Sequence, residues 1–322
     1  MNPSAARRLL SVALLCAASS AASAQSYPDK PITLVVPFAP GASADGIARV
    51  LARELTISLG QQVIVDDKPG GGGATALIAV SRVAPDGYTL AMGATGAIAI
   101  GPHLPDSPPL NPEKQLQPVA KLADIPLVVV TNAKSGFPTL QSVLDRARTS
   151  DISTGNTGAY TAQHLAAELL AYTTKTRLPA VPYRGSAPAV TDVLGGQLQL
   201  AVVDLTSAYS HIKAGSLRAL GVTSPNRSKV APEIPTVAEA GVPGYSATAW
   251  MGLFTTRGVP ASIVERLSKE VNAALAKPEI QSQILALSAE PAYLDAPTFG
   301  KFIGDESRKW GQVIASIPAP QK

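Results

Sequence analysis

The chain contains a loop whose residue types and order can bind an anion. From Val36 to Asp45 it reads Val-Pro-Phe-Ala-Pro-Gly-Ala-Ser-Ala-Asp. Prolines stiffen the end of a buried strand, Gly41 frees the backbone, and Ser43 or Asp45 can cap the helix that follows. The N–H groups of a first helical turn favour a carboxylate, and each charge-assisted hydrogen bond contributes about 1.5 to 3 kcal/mol. An ordinary capped turn without a ligand fits the same residues.

A second loop, 154–161, reads Thr-Gly-Asn-Thr-Gly-Ala-Tyr-Thr and leads into a helix. Its glycines can bring main-chain amides and small hydroxyl side chains onto one ligand oxygen. His164 and Glu168 lie four residues apart on the same helix face. No further His or Cys accompanies them, so we interpret them as an ordinary helix pair and predict no metal site.

Two more strand ends carry polar side chains. Tyr183 and Arg184 follow Val181-Pro182, and an arginine there can pair with a carboxylate or remain solvated. Asp204 follows the apolar pair Val202-Val203. A carboxylate is costly to bury unless amides, water or a ligand satisfy it, so both a functional and a capping role stay open for Asp204.

The catalytic patterns in the chain lack their companions. Gly71-Gly72-Gly73-Ala74-Thr75-Ala76 resembles a loose dinucleotide fingerprint, but no acid follows at a strand end about twenty residues on. Ser210 and Lys213 have Ser-x-x-Lys spacing without the two companion motifs. There is no Gly-x-Ser-x-Gly elbow and no His-Glu-x-x-His, so the sequence predicts no enzyme and no cofactor.

Short β-branched runs alternate with stretches of helical period, which predicts an α/β fold. Strands are expected at Ile32 to Val36, Val63 to Val65, Tyr88 to Met92, Leu127 to Val130, Leu198 to Val203 and Leu217 to Val222, with helices from about Ile47 and from about Ala74 to Ala84. Strands separated by single helices imply parallel βαβ units. In such units ligands collect at the carboxyl ends of the strands, which is where the candidate loops lie.

The first 24 residues predict export. Arg7 and Arg8 precede a short apolar stretch, and Ala22-Ser23-Ala24 matches the small-x-small pattern of a cleavage site, so the leader is expected to be 1–24. The only cysteine, Cys16, lies within it. A lipid anchor there is the alternative, but the bulky Leu15 before it disfavours that processing. No later segment offers about 18 uninterrupted apolar residues, which predicts a soluble, periplasmic mature chain.

Composition is that of a globular protein, with 46% hydrophobic and 16% charged residues. Residues 25–322 suffice for two ordinary domains. Without Arg7 and Arg8 the formal charge falls from +4 to +2, and no dense basic run with aromatics occurs. The sequence therefore gives no reason to expect nucleic-acid binding.

An ordered series of motifs spans nearly all of 25–322. It comprises Tyr27-Pro-Asp-Lys-Pro-Ile32, Val36-Pro-Phe-Ala-Pro-Gly41, Pro69-Gly-Gly-Gly-Gly73, Pro85-Asp-Gly-Tyr-Thr-Leu90, His164-Leu-Ala-Ala-Glu-Leu169, Val181-Pro-Tyr-Arg-Gly185, Gly195-Gly-Gln197, His211-Ile-Lys-Ala-Gly215, Leu217-Arg-Ala-Leu220, Pro235-Thr-Val-Ala-Glu-Ala-Gly241, Pro243-Gly-Tyr245 and Trp250. In this series the chain resembles the Bug-type extracytoplasmic receptors, the substrate-binding components of tripartite tricarboxylate transporters.

The resemblance implies a periplasmic binding-protein fold of type II, with two lobes joined by two crossing strands. One lobe is expected at 25–125 plus 250–322 and the other at 126–249. The resemblance also implies a ligand held mainly by amides, hydroxyls and waters, with Asp204 near its distal group. Tyr160, at a position that is often small in the family, is expected to narrow the pocket. The expected ligand-binding residues are Phe38, Ala39, Gly41, Ala42, Ser43, Asp45, Thr95, Gly96, Asn156, Thr157, Tyr160, Thr161, His164, Tyr183, Arg184 and Asp204.

We therefore expect a monomeric receptor that captures a small carboxylate between its lobes and presents it to a membrane permease. Closure is stabilised only as far as the ligand prefers the closed form. Two alternatives stay open: an orphan sensor or scavenger that passes its ligand to a signalling protein, and a secreted enzyme.

Overall fold

The computed structural model describes residues 27–38, 40, 43–105, 107–158 and 161–316, which form two β-sheets flanked by helices. The expected leader and the cleavage site after Ala24 lie outside these residues. Among the helices that are described, none is long and apolar enough to cross a bilayer.

Within the described residues, eleven strands make up the two sheets. They are β1 (Ile32–Val36), β2 (Val63–Asp67), β3 (Thr89–Ala94), β4 (Leu116–Ile125), β5 (Leu127–Asn132), β6 (Thr154–Asn156), β7 (Ala180–Pro182), β8 (Leu200–Asp204), β9 (Leu217–Val222), β10 (Ala249–Thr256) and β11 (Glu290–Asp295). The first sheet has the order β11-β4-β10-β3-β1-β2, and the second has the order β7-β6-β8-β5-β9.

The helices cover the sheets. They are α1 (Ser43–Leu59), α2 (Ala74–Val80), α3 (Pro112–Gln115), α4 (Leu140–Ala147), α5 (Ala162–Thr174), α6 (Ser186–Leu194), α7 (Leu205–Lys213), α8 (Ala261–Leu275), α9 (Pro278–Ala286) and α10 (Ala296–Ser316). A 3-10 turn (Gly71–Gly73) precedes α2. A π-helical turn (Gly96–Ile100) and a 3-10 turn (Gly101–His103) follow β3.

The chain passes between the sheets twice. The first passage is Pro126, which lacks an N–H group to continue the ladder and separates β4 from β5. The second is the segment 223–248, which links β9 to β10. β10 is antiparallel to β3, and β5 is antiparallel to β8, so both sheets are mixed although βαβ units had implied parallel pairing. The two-lobed α/β architecture with crossing strands is confirmed.

Apolar packing ties the second sheet's helices to the first sheet. One cluster of buried residues includes Val129 and Leu165 as well as Phe254, Phe299 and Trp310. The long helix α10 lies against β4 and also against α5. Gly252 allows part of this packing, because a Cβ there would lie 2.2 Å from Cζ of Phe299. Two further clusters fill the opposite faces of the sheets.

Element bounds follow the sequence pattern closely at some positions and poorly at others. β1 and β9 begin and end at the predicted residues. α2 ends at Val80, four residues earlier than expected. There the main-chain N–H groups of Arg82 and Val83 bond to the carbonyls three residues before them, and the Ser81 hydroxyl donates to the Ile78 carbonyl. These bonds tighten the last turn and end the helix.

Candidate ligand-binding cleft

The strand register places the candidate loops beside the crossing point. Leu127, directly after Pro126, pairs with Asp204 at the end of β8, and β6 runs parallel to β8. In the first sheet Ala249 pairs with Ile125, and Met251 pairs with Ala94 at the end of β3. The carboxyl ends of β1, β3, β6 and β8 therefore face the region between the two sheets, where binding proteins of this topology hold ligands.

The loop after β1 is anchored by ionic contacts. Asp45, in the first turn of α1, is buried, and its Oδ1 lies 2.6 Å from Nε of Arg49. Arg49 also contacts Asp67 at the end of β2, with 2.8 Å between Nη2 and Oδ2. Burial and the charge of Asp45 raise the pKa of Asp67, whereas Arg49 opposes that rise. This group of three residues holds the start of α1 against β2.

Of the remaining predicted residues of this loop, the structure describes the side chain of Phe38 only. Phe38 is half-buried and packs on the apolar cluster of the first sheet. Ala39, Gly41 and Ala42 lie outside the described residues, as does the side chain of Ser43. Whether Ser43 caps α1 thus stays a prediction.

Two predicted residues, Thr95 and Gly96, directly follow β3. The hydroxyl of Thr95 is buried and accepts a hydrogen bond from the main-chain N–H of Trp250 at 2.8 Å. This bond joins the end of β3 to the start of β10. Gly96 begins the π-helical turn, and a Cβ there would meet no described atom within 4 Å. A side chain at this position would therefore meet open space.

Asn156 combines complete burial with an unused donor. Its Oδ1 accepts from the main-chain N–H of Gly158 at 2.9 Å, which fixes the orientation of the amide. Its Nδ2 has no hydrogen-bond partner in the part of the chain that the structure describes. Buried donors without a protein partner are rare, and a water or a ligand is one explanation for such a donor.

The loop after Asn156 is shaped by Thr161, the N-cap of α5. The Thr161 hydroxyl accepts from the main-chain N–H of His164 at 3.2 Å and donates to the carbonyl of Gly158 at 2.8 Å. Thr157 is half-buried between Asn156 and this cap. Tyr160 lies outside the described residues, so its effect on the pocket stays a prediction.

Asp204 is held by two side chains. Nε2 of Gln163 donates to its Oδ1 at 2.7 Å, and the Ser186 hydroxyl donates to its Oδ2 at 3.0 Å. Burial raises the pKa of Asp204, and these two hydrogen bonds act in the opposite direction. Although Asp204 is the N-cap residue of α7, its side chain makes no capping bond. The carboxylate is therefore oriented by α5 and α6 and not by its own helix.

The three other predicted residues, His164, Tyr183 and Arg184, differ in their contacts. Nε2 of His164 lies 3.4 Å from Oε1 of Glu168. The Tyr183 hydroxyl donates to Asp192 at 2.7 Å, and burial together with that bond raises the pKa of Tyr183 to about 12. Arg184 is exposed and forms no ion pair with any acid that the structure describes. Among described residues, no group of three His, Cys, Asp or Glu side chains could hold a metal ion.

Sequence reasoning missed three further candidate residues. Gln163 and Ser186 orient Asp204, but no spacing in the sequence links them to it. Thr248 directly precedes β10, and its buried Oγ1 has no partner within the described residues. A small polar residue before a strand that crosses between lobes was the one available signal for Thr248.

Two mixed sheets, two crossings and polar groups at the facing strand ends define a two-lobed solute-binding protein. A model of the family described as "Tripartite tricarboxylate transporter family receptor" (TctC) matches residues 47–318. The chain belongs to this family of periplasmic solute-binding receptors.

Individual relatives are similar in sequence to this chain over most of their length. A UPF0065 protein in the tcbD-tcbE intergenic region of Pseudomonas sp. (strain P51) is 37% identical over 96% of this chain and 93% of its own. Protein BugT of Bordetella pertussis is 36% identical over 93% of each chain.

Solved structures of similar fold cover about nine-tenths of the chain. A TctC solute binding protein from Polaromonas has a TM-score of 0.81 at 28% identity, covering 90% of this chain and 100% of its own. An R. palustris protein with adipate has a TM-score of 0.78 at 30% identity, and the match covers 90% of this chain and 97% of its own. MatC from Rhodopseudomonas palustris with bound malate has a TM-score of 0.73 at 27% identity, and the match covers 89% of this chain and 100% of its own.

Proposed function

We propose that the mature chain captures a small carboxylate between its lobes and hands it to the permease of a tripartite tricarboxylate transporter. Family membership supports the transport role. Two relatives of the same fold are bound to dicarboxylates, adipate and malate. The ligand of this chain is accordingly proposed to be a small acid of that class.

The observation that carries the proposal is the Nδ2 of Asn156, which is buried and has no hydrogen-bond partner among the described residues. The Gly158 N–H occupies Oδ1, so rotation of the amide cannot satisfy Nδ2 without breaking an existing bond. A carboxylate oxygen is a matching acceptor, and a hydrogen bond to a charged group contributes about 1.5 to 3 kcal/mol. Water alone would satisfy Nδ2 in the empty protein and leave when the acid binds.

Thr248 is proposed to supply a second donor. It ends the segment that links β9 to β10 of the first sheet, whereas Asn156 ends β6 of the second sheet. One acid that accepts from both residues would contact the second sheet and the connection to the first, and would stabilise their closed arrangement. The main-chain N–H groups at the starts of α1 and α5, together with the backbone of Gly96, would bind the remaining carboxylate oxygens.

Asp204 and Arg184 are proposed to select the distal part of the ligand. Asp204 is already oriented by Gln163 and Ser186, so it can accept from a ligand hydroxyl, amine or bound water without rearranging. Arg184 follows β7, is exposed, and can reach a second carboxylate at the mouth of the cleft. The residues of the 39–43 loop and Tyr160 are proposed to complete the pocket.

The proposed lobes are 25–125 plus 250–322 and 126–249, with the leader 1–24 removed after Ala24. We propose that the receptor works as a monomer and leaves its ligand chemically unchanged. The strongest acids and bases near the cleft have protein partners: Asp45 with Arg49, His164 with Glu168, and Asp204 with Gln163 and Ser186.

The experiment is to purify residues 25–322, identify co-purified small molecules by mass spectrometry, and screen mono-, di- and tricarboxylates against their neutral amides by thermal shift. Binding to the native state raises the melting temperature by mass action. At least one acid should raise it while its amide does not, and the acid should be recovered unchanged. Stabilisation by amides alone, or recovery of a product, would contradict the proposal.

A further inference from the structure

A cavity of about 580 Å³ lies in the lobe of the first sheet, between β4, β10 and α10. Leu116, at the start of β4, and Phe254, near the end of β10, are among its lining residues. β4 runs ten residues from there to Ile125 at the crossing, a distance of roughly 30 Å for an extended strand. The part of the cavity lined by Leu116 is therefore at the opposite end of β4 from the crossing point.

The floor of this cavity is apolar and deeply buried. Ile98, Leu110, Leu116 and Phe254 line it, and none is more than 7% exposed. A cavity of this volume with an apolar lining and a few polar groups has the usual character of a small-molecule site. It can accommodate an apolar ligand body of six to ten carbon atoms, a size estimated roughly from that comparison.

Two helical glycines keep one wall of the cavity open. Gly300 and Gly304 lie within α10 and line the cavity. A Cβ at residue 304 would meet only Nη1 of Arg308, at 3.9 Å, and one at residue 300 only Cγ of Pro118, at 3.6 Å. Neither packing nor a left-handed backbone demands glycine here, yet each glycine costs about 0.5 to 1 kcal/mol of helix stability relative to alanine. Space for a ligand is a physical reason to bear that cost.

The rim carries one arginine, Arg257, that is not paired with a described acid. Arg257 donates to the main-chain carbonyl of Glu113 at 3.4 Å and forms no ion pair with a described acid. Arg308 also lines the cavity and pairs with Asp305. Nε2 of His103 is 2.8 Å from the Ser307 hydroxyl. Glu113 is the single carboxylate among the described lining residues. An anionic head therefore fits the rim better than a cationic one.

We propose that this cavity binds an amphipathic monocarboxylate, with its apolar body on Phe254 and its carboxylate beside Arg257. The cavity and the cleft are separate sites on this proposal, and each can exist without the other. The π-helical turn that carries Ile98 begins at Gly96 of the cleft, so the two sites share one short segment.

The test is titration calorimetry of residues 25–322 with octanoate, octan-1-ol and octylammonium. Octanoate should bind with 1:1 stoichiometry and at least about tenfold more tightly than octylammonium, because the rim favours an anion. Arg257→Gln should weaken octanoate binding by about tenfold and leave octan-1-ol binding unchanged. Equal or tighter binding of octylammonium, or no octanoate binding by the native protein, would overturn the proposal.

Two further variants locate the site. Gly304→Leu fills the cavity and should abolish octanoate binding, whereas Gln312→Leu places the same side chain at an exposed position of α10 and should not. Asn156→Ala should leave octanoate binding intact, since Asn156 belongs to the cleft. Octanoate binding that survives Gly304→Leu, or that disappears in Asn156→Ala, would assign octanoate to another site. Arg257→Gln still decides the proposal if Gly304→Leu fails to fold.

Discussion

Replacing Asn156 tests the cleft at its most specific point. Asn156→Ala removes Nδ2 and also the Oδ1 that accepts from the Gly158 N–H. Losing one hydrogen bond to a charged ligand costs about 1.5 to 3 kcal/mol, which corresponds to a rise in Kd of roughly ten- to a hundredfold. Asn156→Asp keeps the shape and the acceptor but replaces the donor with a negative charge, so it should weaken carboxylate binding at least as much.

The assay is titration calorimetry with the acid that gives the largest thermal shift. Asn272→Ala, an exposed substitution on α8, is the matched control and should leave Kd unchanged. Thermal melts without ligand separate lost folding from lost binding. If Asn156→Asp folds and binds the acid as tightly as the native protein does, Nδ2 does not contact the ligand and the reasoning from its burial is wrong.

Four other changes have defined outcomes. Thr248→Val keeps the shape of the side chain but removes its hydroxyl, and calorimetry should show binding weakened about three- to tenfold; an unchanged Kd would remove Thr248 from the site. Asp45→Ala leaves Arg49 with Asp67 alone and should loosen the start of α1, so that ligand affinity falls several-fold; equal affinity would show that this group does not organise the cleft. Burial raises the pKa of Asp204 above its ordinary 3.8, so the folded state binds the proton more tightly and stability is lost as pH rises through the folded-state pKa. The melting temperature of the native protein should therefore fall relative to that of Asp204→Asn as the pH rises above 3.8, and parallel curves would contradict this. Glu306→Ala leaves the buried indole N–H groups of Trp250 and Trp310 without their shared acceptor. Denaturant melts should show a free energy of unfolding that is lower by about 2 to 4 kcal/mol. Glu306→Gln keeps an acceptor and should lose less stability.

Local pattern predicted the strands whose own residues mark both of their ends. β1 and β9 are short, β-branched and bounded by polar or turn residues, so their limits could be read directly. β10 was harder, since its partners β3 and β4 lie more than a hundred residues earlier in the chain. Its antiparallel direction follows from the path between lobes, which periodicity does not encode. The resemblance to a known family supplied that path.

The candidate site also contains residues that the sequence pattern predicted and contacts that it did not. Asn156, Thr157 and Thr161 could be predicted because a glycine-containing loop between a strand and a helix exposes amides and hydroxyls. The fixation of Asp204 by Gln163 and Ser186 could not, because it depends on how α5 and α6 pack beside β8. The hydroxyls of Thr95 and Tyr183 bond to Trp250 and Asp192, contacts that the sequence did not predict, and their role at a ligand stays a prediction. A motif identifies a residue but not which of its atoms the fold already uses.

The most direct test of the central claim is a crystal structure of residues 25–322 with the acid found by the screen. We expect one carboxylate between the two sheets, with an oxygen about 3 Å from Nδ2 of Asn156 and with contacts from residues of both lobes. An acid bound outside the cleft, or held by one lobe alone with Nδ2 still unpaired, would contradict the proposed function.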